Sequence, residues 1–116
     1  MAVTVKTAEN FSIDQGADFS RTLTVTTDGT TAYDISGLTL QAQMRKSFAS
    51  TSATTFTCTI VSGTAGTYKL ELTDVVTAAL DGDTRYVYDV ELILADSTIE
   101  KVHHGIITVN AEATKV

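Results

Sequence analysis

From Tyr86 to Leu94 the chain alternates without a slip, with Tyr86, Tyr88, Val90, Leu92 and Leu94 on one phase and Arg85, Val87, Asp89, Glu91 and Ile93 on the other. Successive side chains of a β-strand point to opposite faces, so this segment presents one wholly apolar face with two aromatics at its start. The rhythm recurs. Phe19, Leu23 and Val25 share a phase in residues 18–27, opposite Ser20, Thr22, Thr24 and Thr26. Leu38, Leu40, Ala42 and Met44 alternate with Thr39, Gln41, Gln43 and Arg45. Phe56, Cys58 and Ile60 mark a strand over 55–61, and Tyr68, Leu70 and Leu72 mark the next. A short strand is expected around Tyr33 to Ile35, and a final one over 99–109. Turn chemistry separates these runs at Asp14-Gln15-Gly16, Asp28-Gly29, Ser36-Gly37, Ser62 to Gly66 and Ala95 to Thr98.

Two places depart from the alternation. Thr73 to Leu80 has apolar residues at helical spacing, with Thr73 as the expected N-cap and Asp74 favourable in the first turn, and Asp81-Gly82 closes it. In the last strand Val102 lies on one phase and Ile107 and Val109 on the other, which a one-residue insertion at Gly105 reconciles. The expected fold is therefore all-β: an immunoglobulin-like antiparallel β-sandwich of about seven or eight strands, with one short helix near 73–80. The antibody Cys-Trp-Cys signature is absent. Residues 11–109 read as the sandwich, 1–10 as an extended N-terminal arm and 110–116 as a C-terminal tail. Leu40, Met44, Phe56, Leu70, Tyr88, Val90 and Leu92 are the expected core.

Composition narrows the partners. The 116 residues fit one domain, and 43% are hydrophobic, enough for a core. Roughly one residue in five is Thr, which is β-branched and polar and suits the solvent face of a strand. A net charge of −6 disfavours nucleic acid and anionic membrane surfaces, both of which attract basic faces. No stretch approaches the roughly 18 apolar residues that a bilayer span needs. The N-terminus lacks the apolar core of a signal peptide, so synthesis in the cytoplasm is expected.

No catalytic constellation stands out. His103 and His104 are neighbours on a strand, point to opposite faces and are poorly placed to share a metal; a rim or partly buried pair is expected. Asp81-Gly82-Asp83 lacks the further ligands of a calcium loop and reads as a turn. Asp89 and Glu91 share the outward face of one strand and are expected to answer Lys69, Lys101 or Arg45 across strands rather than to act as a catalytic pair. Cys58 is the only cysteine and is in phase with Phe56 and Ile60, so it reads as a small buried hydrophobe. Three of the four tyrosines, Tyr68, Tyr86 and Tyr88, are in phase with core aliphatics, which leaves little for a sugar-stacking platform. No catalytic residue, metal or cofactor is therefore assigned. Val87 and Ile93 are apolar residues on the polar face of a strong strand, which suggests a surface that meets another molecule. Val3 and Val5 alternate in the Pro-free arm, and Phe48 lies in the small-residue loop 46–54; these five residues are the candidate protein interface.

An ordered set of short motifs carries a resemblance. Phe11-Ser-Ile-Asp-Gln-Gly-Ala-Asp-Phe19 leads into a Thr/Leu strand, followed by Asp34-Ile-Ser-Gly-Leu38, Gln43-Met-Arg-Lys46, the Leu72 to Leu80 segment, Arg85-Tyr-Val-Tyr-Asp-Val-Glu91 and Gly105-Ile-Ile-Thr-Val109. In this order, across residues 11–109, the chain resembles small bacteriophage virion structural proteins of the tail and baseplate type, many of them from phages of cyanobacteria. It is similar to the N-terminal domain of siphophage baseplate upper proteins. The resemblance implies an immunoglobulin-like sandwich that packs in a virion against other virion proteins or copies of itself. It implies no enzyme activity, small-molecule substrate, nucleic acid or membrane partner. Capsid decoration and a carbohydrate-binding module touching host glycans are the alternative expectations.

Overall fold

Alternating burial along each strand sorts the chain into two sheets. A computed structural model describes residues 4–113. Its elements are β1 (Thr7–Ala8), β2 (Phe11–Asp14), β3 (Phe19–Thr24), β4 (Thr39–Arg45), β5 (Thr54–Thr55), β6 (Thr57–Ser62), β7 (Thr67–Leu72), α1 (Asp74–Ala78), β8 (Thr84–Ile93) and β9 (Ile99–Asn110). The larger sheet runs β1-β9-β8-β4-β5, with β2 also on β9, and the smaller runs β3-β7-β6. The smaller sheet takes the places of strands B, E and D of an immunoglobulin-like sandwich. β9, β8, β4 and β5 take those of G, F, C and C′. The pairings are antiparallel except those of β1 and β2, which run parallel to β9.

All seven residues expected in the core are buried, with Met44, Leu70, Val90 and Leu92 fully so. Ile13, Ile35, Tyr68, Val102, Ile107 and Val109 complete the space between the sheets. Phe11, Phe19, Phe56 and Tyr88 form an aromatic chain at one end of this core, with Phe11 stacked on Phe19 at 5.3 Å between ring centroids.

The run expected as one strand over 55–61 belongs to both sheets. Thr54–Thr55 pairs with β4, Thr57–Ser62 pairs with β7, and buried Phe56 sits at the crossing with its N–H donated to the Ala42 carbonyl. The segment Tyr33 to Ile35 forms no strand. The Asp34 carboxylate accepts the Ser36 N–H and curls the chain, and single bonds to the Val25 and Gly63 carbonyls hold it while Ile35 is fully buried.

The helix forms over Asp74–Ala78, and Thr73 is at its N-cap position without a side-chain bond. The Asp18 carboxylate, from the loop before β3, accepts the Asp74 N–H instead. Buried Thr77 ties α1 to the same loop by donating its hydroxyl to the Ala17 carbonyl and accepting the Gly16 N–H. At the start of β8 the hydroxyl of buried Tyr86 accepts the N–H of Asp81, five residues upstream, at 2.9 Å. This is the tyrosine corner that braces the entry to strand F in many immunoglobulin-like domains.

The insertion in β9 exists, but at a different residue. Val90 pairs with His103 and Glu91 with Lys101, so Val102 is the extra residue. The bulge turns both Val102 and His103 into the core. Gly105 pairs regularly with Tyr88. It is glycine because the chain lies on it: a Cβ there would come within 2.4 Å of the Glu9 carbonyl oxygen.

Residues 4–10, expected as an arm, are extended but lie along the sandwich. Val5 donates to the Thr26 carbonyl, β1 pairs with His103 and His104, and Glu9 donates to the His104 carbonyl. The Glu9 carbonyl in turn accepts the Tyr88 hydroxyl at 2.6 Å.

Candidate functional site

The outer face of the larger sheet carries exposed Ile99 and Ile106. β4 contributes Thr39, Gln41, Gln43 and Arg45, and β8 contributes Val87, Asp89, Glu91 and Ile93, each on the phase opposite the core. Before the bulge β9 contributes Ile99 and Lys101; after it, His104, Ile106 and Thr108. Val87 is directly opposite Ile106, and Ile93 is directly opposite Ile99. Two apolar patches therefore lie at the two ends of this face. Between them runs a charged belt in which Lys101 pairs with Asp89 at 3.1 Å and the Gln41 amide donates to Glu91 at 2.7 Å.

The loop after β4 rises over one end of this face. Arg45 holds it by donating to the Ser50 carbonyl at 2.7 Å. Phe48, at the loop tip, is 73% exposed. Loop and sheet enclose a groove of about 490 Å³ lined by residues that include Gln41, Gln43, Arg45, Phe48, Val87 and Asp89. An exposed phenylalanine beside half-buried Val87 is apolar surface that a lone soluble domain gains nothing from showing.

Of the residues singled out as an interface, Phe48 and Val87 share this groove. Ile93 is on the same face at the opposite end, beyond the charged belt. Val5 is 37% exposed beside the end of β3, away from the other three. Val3 lies outside the described residues. Ile99 and Ile106, which are 55% and 43% exposed, belong to the face but were not expected there. The signal that could have found Ile106 is its place beside Ile107: two adjacent isoleucines on a strand cannot both point inward.

His103 overturns the expectation of a rim position. It is 2% exposed and reaches from the larger sheet to β7 in the smaller, where its Nδ1 lies 2.5 Å from the Tyr68 hydroxyl. Burial pushes its pKa down to about 4, against smaller upward pulls from Glu9 and from a hydrogen bond with the Thr24 backbone. Which of the two groups donates in this short contact follows the tautomer of the neutral ring. The phenol of Tyr68 is itself held neutral by burial. His104 is half-buried on the outer face, in register with Asp89.

The remaining candidates are structural in their contacts. Of the three cations proposed to answer Asp89 and Glu91, Lys101 does so. Lys69 is on the other sheet beside Glu71, and Arg45 serves the loop and Gln43. Asp81 forms an ion pair with Lys46. Cys58 is half-buried against the core, and burial raises its thiol pKa to about 11, which keeps it protonated and unreactive at neutral pH. Among the described residues, no group of three or more His, Cys, Asp and Glu is placed to hold a metal ion.

No protein-family model matches the chain, and no curated protein matches it. Among solved structures it is similar to an internalin-like protein of Listeria monocytogenes, with a TM-score of 0.50 and 13% identity over 90% of this chain. The chain spans 30% of the length of that protein, and at this identity the likeness is one of fold. Murine CRIg aligns over 94% of both chains with 12% identity and a TM-score of 0.42.

Proposed function

We propose that the protein is a bacteriophage virion structural protein, a β-sandwich assembly module of the tail or baseplate whose partners are other virion proteins or copies of itself. The observation that carries this reading is the outer face of the β4-β8-β9 sheet. Phe48, Val87 and Ile106 offer apolar area at one end, Ile93 and Ile99 offer it at the other, and a mixed-charge belt between them sets register. The ordered motifs from Phe11 to Val109 supply the virion context by resemblance. In this reading the domain works by burial rather than by chemistry. The groove carboxylates are engaged, Asp89 by Lys101 and Glu91 by the Gln41 amide, while Cys58 is held protonated and His103 is buried away from the groove.

The test is incorporation. A Val87→Asp/Ile106→Asp double variant places two charges on the apolar end of the face while leaving the core intact. It is expected to fold as the wild type does and to be lost from purified particles by at least tenfold. Wild-type incorporation of the folded variant would contradict the assignment of this face.

One observation favours a second reading, a module that contacts host glycans. Exposed Phe48 overhangs a groove bearing the Gln41 and Gln43 amides and the Asp89 and Glu91 carboxylates, a set able to stack on and hydrogen-bond a sugar ring. Glycan-array binding by the isolated chain, lost in Phe48→Ala, would favour it. Absence of binding leaves the assembly reading alone.

A further inference from the structure

The edges of the two sheets are not alike. At one side of the larger sheet, β2 carries Asp14, whose carboxylate accepts from Asn110. At the other side β5 is two residues long and runs straight into the crossing at Phe56. In the smaller sheet, β3 carries Arg21, which pairs with Glu9 at 3.3 Å, and beyond its end the Thr26 carbonyl is taken by Val5. Among the described residues the remaining edge is β6. Its sequence, Thr57-Cys-Thr-Ile-Val-Ser62, holds no charge, no proline and no glycine, and four of its six residues are β-branched. Sheet edges are normally guarded against pairing with other chains by charged residues, proline, shortness or a bulge. Here the bulge lies between Ile60 and Ser62, at the end of the strand, and Thr57 to Ile60 runs in regular register with β7.

We infer that β6 pairs edge to edge with β6 of a second copy, antiparallel about a two-fold axis, so that the smaller sheets of two molecules become one continuous sheet. The inference rests on the assembly reading for its choice of a copy as partner. Local charge is what permits a copy there: two chains of net charge −6 repel overall, so they can pair only along an edge without carboxylates, and β6 brings none to the axis. The nearest charged side chains, Lys69 and Glu71 on β7, neutralise each other at 3.6 Å. A two-fold axis sets a strand against itself, and an uncharged Thr-rich strand is complementary to itself: Thr57 and Thr59 face outward and can meet as cross-strand threonine pairs. The pairing would also cover Val61, which is 56% exposed on the same strand.

The experiment is sedimentation equilibrium of the purified full chain over a concentration series, beside a Thr57→Lys/Thr59→Lys variant. Both threonines are exposed, so the lysines add like charge at the axis without entering the core. The wild type is expected to reach twice the monomer mass as concentration rises, and the variant to remain at half that mass, with a cooperative unfolding transition whose midpoint, unlike that of the wild type, does not rise with concentration. A wild type that stays monomeric throughout, or a variant that still dimerises, overturns the inference. Amide exchange supplies a readout independent of any variant: protection over residues 57–60 should rise with wild-type concentration, and flat protection overturns the pairing. The two readings fail separately. A monomeric chain that enters particles removes the β6 pairing and leaves the assembly module. A dimeric chain absent from particles removes the virion role and leaves the pairing.

Discussion

At the scale of single residues, the core is set by side chains whose phase can be read directly from the chain. Leu70 and Leu92 are fully buried on facing sheets, and truncating either to Ala is expected to cost roughly 2–5 kcal/mol in denaturant unfolding, with the m-value unchanged. His103 makes a different prediction. Its pKa is about 4 folded against the ordinary histidine value of about 6.5, so the unfolded chain binds the proton more readily. Its contribution is therefore complete above about pH 6.5 and declines as pH falls from there toward 4, by up to about 3 kcal/mol. The carboxylates that depart from their ordinary range, Asp28, Asp34 and Asp96, are held below it by hydrogen bonds, so their loss falls at lower pH and the decline between pH 6.5 and 5 is assigned to His103. A His103→Gln variant should show a flatter stability profile across that window, and an equally steep one would contradict the assignment. Burial of His103 was not legible in the sequence because polarity and strand phase both argued for a rim. Its position depends on the Val102 bulge, which shifts the phase of β9 midway, and on a tyrosine from the other sheet that only the fold supplies.

At the scale of elements, what could be read depended on period. The long strands β4, β7 and β8 have strict alternation and fall within a residue or two of expectation, as does α1, where the period changes to that of a helix. Short or branching segments were not legible. Residues 54–62 alternate as one strand, but no local signal marks the change of sheet at Phe56, because the phase passes through it unbroken. The N-terminal segment is the clearest case. Residues 1–10 read as an extended arm, yet residues 4–10 supply a strand pairing, the Glu9 bond to β9 and the acceptor for the Tyr88 hydroxyl. Deletion of residues 1–10 removes the partners of that hydroxyl and of the β9 edge at His103 and His104, while β2 stays paired with β9. It is expected to lower stability by on the order of 1–3 kcal/mol for the Tyr88 bond alone. Thermal unfolding of the truncated chain checks this, and an unchanged melting temperature would show that the segment does not brace the sheet.

At the scale of the whole molecule, two sheets of unequal size leave two kinds of surface. One is a broad face on the larger sheet with apolar ends and a charged middle, and the other is a single uncharged edge on the smaller sheet. A face suits neighbours of a different kind and an edge suits a copy, so one small domain can join two kinds of contact in a larger particle. Part of the face was visible from Val87, Ile93 and Phe48 alone. Of the rest, Ile99 was hidden because the bulge at Val102 reverses a phase it otherwise shares with buried Ile107 and Val109, whereas Ile106 was marked only by its place beside Ile107. The most direct test of the proposed virion role is a cryo-EM reconstruction of particles assembled in the presence of this chain. The account predicts density for the sandwich in the tail or baseplate, with Phe48, Val87 and Ile106 buried against another virion chain. A particle without the chain, or one in which that face is turned to solvent in every copy, would contradict it.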